Sequence, residues 1–152
     1  MSTRDKAKLV DTLFIDCDGT LTDGMFFVSN KGDITKAFNT KDFVAIYEWL
    51  NAGNRVAIVS GSDDTCAVEK FRSLSWKFVF ESRIAVFIGI RNKVALLDGG
   101  DSPDGHGMFN HLDFFDHQCW EYPWDTVAYI GDQTNDLGPM EMSAIVGCPS
   151  DA

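Results

Sequence analysis

Short apolar runs recur along the chain, and several of them stop at a carboxylate or a small polar residue. Residues 10–15 (VDTLFI) close at Asp16, the pattern of a strand buried on both faces. Residues 55–59 (RVAIV) repeat that pattern and end at Ser60-Gly61, and residues 126–130 (TVAYI) repeat it again before Gly131-Asp132. Residues 77–80 read as a further strand, and residues 144–146 open a last short one. Helical spacing fills the intervals. Residues 41–51 place Phe43, Ile46, Tyr47 and Leu50 on one face, with Gly53 as the stop. Further helices are predicted from a cap at Asp63 or Asp64 to about residue 74, over 92–97, over 109–120 and over 135–143. Residues 25–28 and 34–38 flank the turn sequence SNKGD and predict a β-hairpin.

Buried strands alternating with helices imply an α/β fold: a parallel sheet covered on both faces, in one domain spanning residues 1–152. Ligands in such sheets bind beyond the carboxyl ends of the strands. Three strand ends here carry chemistry, namely Asp16-Cys17-Asp18, Ser60-Gly61 and Gly131-Asp132.

Composition narrows the classes. Lys+Arg 13 against Asp+Glu 23 gives a net charge of −10, which argues against binding nucleic acid or an anionic membrane surface. Residues 1–8 are polar and charged, unlike a signal peptide, and the dense apolar run at 84–90 is far too short to span a bilayer. Cys17, Cys66, Cys119 and Cys148 form no C-x-x-C pair, so they read as small buried hydrophobes in a reducing, cytoplasmic setting.

Asp16 and Asp18 stand two residues apart just past a strand, in the sequence Asp16-Cys17-Asp18-Gly19-Thr20. Asp132 and Asp136 bring the count at one sheet edge to four acids. Like charges so close repel unless a cation joins them. A hard divalent ion with oxygen ligands, most simply Mg²⁺, resolves that repulsion. The competing reading is a plain turn with capping aspartates; the two other strand ends weigh against it. Lys93, at a predicted helix start, could neutralise a bound phosphate, although most lysines are solvated surface residues. The Ser60 hydroxyl and the backbone N–H groups of its turn could hold phosphate oxygens. His106, His111 and His117 do not fall cleanly on one helical face, the aromatic residues between 109 and 124 read as packing, and the acidic stretch 98–104 reads as a solvated loop.

These residues resemble the haloacid dehalogenase superfamily of phosphotransferases. Asp16-Cys17-Asp18-Gly19-Thr20 is similar to its first motif, Ser60 to the second, Lys93 to the third, and Gly131-Asp132-Gln133-Thr134-Asn135-Asp136 to the fourth. The order is preserved over nearly the whole chain. Leu21-Thr22-Asp23-Gly24, the hairpin, and then Lys36-Ala37-Phe38-Asn39-Thr40-Lys41-Asp42 resemble the small capless branch that contains 3-deoxy-octulosonate 8-phosphate and nonulosonate 9-phosphate phosphatases. Ser62 stands where that branch commonly has Arg or Glu, and Gln133 where it often has a second acid. The segment between Lys93 and Asp132 is longer than usual, and the chain stops at Ala152, before the branch's C-terminal tail.

The resemblance implies a Rossmann-like fold with a hairpin flap over residues 25–38 and no cap domain. It implies that Asp16 is the nucleophile, that Asp18 is the general acid and base, and that Ser60 and Lys93 hold the phosphate. Mg²⁺ would be held by Asp16, by Asp18 through its backbone carbonyl, and by Asp132, with Asp136 supporting from behind. Substrate contacts are expected from Asn39, Thr40, Asp42, Gly61, Ser62 and Lys70. The implied substrate is a small sugar-acid phosphate. A homotetramer is expected too: Phe26 and Phe27 are adjacent and point to opposite faces of the hairpin, so both faces are partly apolar and call for burial between copies. Two other readings use the same residues less fully. One is a non-catalytic assembly or regulatory module of the same descent. The other is a receiver domain with a phosphorylated aspartate, which would need neither Asp18 nor the G-D-x-x-x-D spacing.

Overall fold

The apolar runs at 10–15, 55–59 and 126–130 become the centre of a parallel sheet. The structure is a computed structural model that describes residues 1–62, 66, 84–87 and 124–152. The predicted elements at 63–74 (Cys66 apart), 77–80, 92–97 and 109–120, together with Lys70, Lys93, Cys119 and the three histidines, lie outside the described residues. In chain order the elements are α1 (Thr3–Leu9), β1 (Thr12–Asp16), β2 (Phe27–Val28), β3 (Ile34–Thr35), α2 (Thr40–Asn51), β4 (Arg55–Val59), β5 (Ile84–Phe87), β6 (Val127–Ile130), α3 (Leu137–Met142) and β7 (Ile145–Gly147).

The sheet runs β5-β4-β1-β6-β7, and every pairing in it is parallel. β1 sits at its centre, with the chain passing first to one side and then to the other. That reversal opens a crevice at the carboxyl ends of β1 and β6. Register sets what stands there. Asp16 pairs with Val59 and Ile15 with Ile130, so Asp16, Ser60 and Gly131-Asp132 emerge at one edge.

The core is Phe14, Ile15, Val56, Ala57, Ile58 and Val59 of the two inner strands, with Val127 and Tyr129 of β6 and Phe43, Ile46 and Leu50 of α2. Each large side chain fully buried here contributes about 1.5–3 kcal/mol. α2 starts where Asn39 accepts the Lys41 N–H at 2.9 Å and ends at Gly53, whose φ of +94° only glycine adopts readily. Trp49 Nε1–H donates to the Arg55 carbonyl at 2.8 Å and fixes α2 to the start of β4.

Some elements differ from the pattern reading. β5 forms within the run judged above only for its length, and it pairs along β4. α1 forms on polar residues through its Ser2 cap and buries none of them, so no periodicity announces it. The hairpin forms, but its strands are two residues long, and Met25, Phe26, Phe27, Val28 and Ile34 are all exposed. Phe38 leaves the hairpin and packs edge-on against Phe43, with ring centroids 5.6 Å apart. Cys17 is buried as expected; Cys148, just past the edge strand β7, is exposed.

Candidate active site at the carboxyl edge of the sheet

One carboxylate oxygen from each of Asp16, Asp132 and Asp136 lies within 4.8 Å of the others. Asp16 is buried as the last residue of β1, and Asp136 is fully buried. Two glycines permit the approach. Gly19, at φ +84°, sits so close that a Cβ there would stand 1.9 Å from Asp132 Oδ2. A Cβ on Gly131 would stand 2.4 Å from the Asp136 carboxylate carbon. Both positions therefore need glycine, and the turn after β1 is locked onto the turn after β6.

Asp136 shapes that second turn. Its Oδ2 accepts the backbone N–H groups of Asp132 at 3.1 Å and Gln133 at 3.2 Å, and its Oδ1 accepts the Tyr129 hydroxyl at 2.7 Å. Burial, then the Asp136 charge, pushes the Tyr129 hydroxyl far above its usual range, so it stays a donor. Tyr129 is fully buried, with its ring stacked 6.3 Å from Phe14. Asp136 thus holds the backbone of the Asp132 turn through these two N–H groups. Tyr129, read from the sequence only as a strand residue, is the part that reading missed.

Asp18 goes elsewhere. Its carboxylate is absent from the cluster and pairs with Lys36, with Nζ donating to Oδ1 at 2.6 Å. Three of the four acids at this edge thus meet in one cluster, and the carboxylate of the fourth is held by a lysine just past the second hairpin strand. A pocket of about 280 Å³ opens beside this pair, lined by Asp18, Gly24, Phe26, Ile34, Lys36 and Ser62. Ser60 is buried, and its Oγ accepts the Ser62 N–H at 3.2 Å, which curls the turn past exposed Gly61.

Asn39 and Asp42 face a neighbouring cleft of about 380 Å³ with Thr20, Thr22, Asp23 and Phe38, while Thr40 is an exposed first residue of α2. Ser62 thus lines the pocket beside Asp18, Ser60 follows the residue of β4 that pairs with Asp16, and Asn39 and Asp42 line the neighbouring cleft.

The donor set suits a hard divalent cation. All three clustered side chains are carboxylates, and those of Asp16 and Asp132 could offer oxygens to it. Among the described residues Asp132 Oδ1 is buried without a hydrogen-bond partner, and so is Thr20 Oγ1 in the turn that packs against it. A buried carboxylate oxygen with no donor beside two further carboxylates is costly. A cation of the Mg²⁺ class, bound through oxygen, removes both penalties.

No protein-family model matches the chain. It is 24% identical over 150 residues to the 3-deoxy-D-manno-octulosonate 8-phosphate phosphatase KdsC of Escherichia coli, covering 97% of this chain and 66% of that protein. The crystal structure of the 3-deoxy-D-manno-octulosonate 8-phosphate phosphatase from Yersinia pestis superposes with a TM-score of 0.74 at 24% identity, over 97% of this chain and 68% of that one. The fold is the one found in these phosphatases. The enzyme of the same name from Moraxella catarrhalis, solved with magnesium, phosphate and KDO, gives a TM-score of 0.70 at 22% identity, over 93% of this chain and 68% of that one. The described residues therefore have the parallel α/β architecture, with the active-site turns at its carboxyl edge, that these phosphatases share. Among the described residues no helix is long and apolar enough to cross a membrane.

Proposed function

We propose that the protein is a Mg²⁺-dependent phosphomonoesterase acting on a small sugar-acid phosphate of the octulosonate 8-phosphate or nonulosonate 9-phosphate type. The observation that carries this reading is the meeting of Asp16 with Asp132 and Asp136, with Asp132 Oδ1 buried and unsatisfied, on a fold found in octulosonate 8-phosphate phosphatases.

In this reading an Asp16 carboxylate oxygen attacks phosphorus in line, and the phosphorus–sugar oxygen bond breaks. Asp18 gives its proton to the departing oxygen, leaving an alcohol and an aspartyl phosphate. Water then attacks phosphorus, passes a proton back to Asp18 and frees phosphate, which restores the Asp16 carboxylate. Asp16, the Asp18 backbone carbonyl and Asp132 would hold Mg²⁺, which when bound neutralises the phosphate charge. Asp136 keeps the Asp132 turn in shape through the two N–H groups it accepts. Ser60 and Lys93 hold phosphate oxygens. Asn39, Thr40, Asp42, Gly61, Ser62 and Lys70 contact the sugar.

The exposed apolar hairpin is the assembly surface of a homotetramer, in which copies cover one another's Met25, Phe26, Phe27 and Val28. The test is phosphate release from a sugar-phosphate panel that includes octulosonate 8-phosphate and nonulosonate 9-phosphates, with Mg²⁺ and with EDTA. Mg²⁺-dependent release from a sugar-acid phosphate is the expected result; no release from any member overturns the reading.

A further inference from the structure

We propose that Lys36 is a positioning residue for Asp18: it holds the Asp18 carboxylate apart from Asp16, Asp132 and Asp136 and beside the pocket under the hairpin. The inference rests on the acid–base role proposed above for Asp18. The Lys36 side chain is 5% exposed and the Asp18 side chain 37%, so the lysine is sunk into the fold and meets the acid from below. A lysine is buried to that degree only with a partner, because an unpaired ammonium loses its hydration for nothing. The contact spans 18 positions of sequence and joins the turn after β1 to the residue just past β3.

The physical need for it follows from the cluster. Asp18 lies two residues after Asp16, within reach of the same cation that three carboxylates attract. Bound to that cation, its carboxylate would be a fourth ligand and could not pass a proton. The Lys36 ammonium is a competing charge already in place. It engages Oδ1 and leaves Oδ2 for the reacting proton. Phe26 and Ile34 of the hairpin line the same pocket, so one lysine sets the acid and the walls around the leaving group together.

Lys36→Met and Lys36→Arg, each checked by thermal melting, test this on two substrates. One is para-nitrophenyl phosphate, whose phenolate departs without a proton. The other is the alkyl sugar phosphate, whose alkoxide needs one. Lys36→Met should slow single-turnover release of the sugar alcohol from the alkyl ester about 100-fold, in the range of general acid catalysis, with the nitrophenolate burst from the aryl ester barely moved. The later hydrolysis of the aspartyl phosphate uses Asp18 with either ester and should slow equally for both. Lys36→Arg should recover most of the loss. In an Asp18→Asn background Lys36→Met should cost nothing further, as expected for residues acting as one unit. Calorimetric Mg²⁺ binding without substrate should tighten in Lys36→Met, and the tightening should vanish in the double variant. Equal losses in the leaving-group step of both esters, or a loss undiminished in the Asp18→Asn background, overturn the proposal while leaving the phosphatase reading intact. No turnover of either ester by the unsubstituted protein removes the phosphatase reading and this inference with it. Should Lys36→Met unfold, Lys36→Gln takes its place in each comparison.

Discussion

The carboxyl edge of the sheet and the hairpin beside it are separated by a few residues of sequence and held by different forces. At the edge, two glycines, three carboxylates and a buried tyrosine constrain one another through contacts inside the chain. The geometry there is over-determined: Gly19 cannot accept a side chain, Asp136 holds two backbone N–H groups, and Tyr129 holds Asp136. The hairpin has two-residue strands and leaves Met25, Phe26, Phe27 and Val28 in solvent. Its main inward tie among the described residues is the chain around Lys36, which reaches Asp18. Chemistry that needs ångström-level placement belongs on the first region. The second is suited to contact something outside its own chain.

Substitutions at the edge should therefore be felt far more than substitutions on the hairpin. Gly19→Ala should be the most damaging. The new methyl group must displace the Asp132 carboxylate, and the positive φ disfavours any side chain. Turnover should fall by about 100-fold or more, the usual cost of a 1 Å misplacement, while circular dichroism stays native. Asp132→Ala should raise the Mg²⁺ concentration for half-maximal activity by about 100-fold, since even groups behind the ligands are worth about 10–100-fold in metal affinity.

Tyr129→Phe should leave a buried carboxylate oxygen without its donor, at about 1–3 kcal/mol of stability in urea unfolding. It should also change the alkaline limb. The Tyr129 hydroxyl is raised above its unfolded value of 10.0, so the folded chain keeps a proton that the unfolded chain loses. Stability is then flat in this group below pH 10 and falls above it, and Tyr129→Phe should remove that part of the fall. Phe27→Asp should change monomer stability by no more than about 0.5 kcal/mol, because the ring is exposed. If the hairpin is the assembly surface proposed above, its effect should appear in light scattering as a shift from tetramer to monomer mass.

The same contrast explains what could be read from the sequence. β1, β4 and β6 were legible because each is a short apolar run stopping at a polar residue, and parallel pairing then aligns Asp16, Ser60 and Asp132 without further information. The helix at 41–51 was legible from Phe43, Ile46 and Leu50 at helical spacing, and all three are buried. The Lys36–Asp18 pair was not, because nothing local in either segment says where the other lies. Nor was the Tyr129–Asp136 bond, since a tyrosine in a strand reads as packing. β5 carried the right apolar residues but was weighed only for its length, and α1 has no buried face to give a period.

In the proposed reading Asp16 is the nucleophile of a Mg²⁺-dependent phosphate-transfer site. Phosphate release from octulosonate 8-phosphate and nonulosonate 9-phosphates, followed for the unsubstituted protein and for Asp16→Asn, tests it most directly. Release from at least one of these is expected with Mg²⁺, none with EDTA, and none from a folded Asp16→Asn variant under either condition. Near-native turnover by Asp16→Asn, or full activity after the metal is stripped, would contradict it.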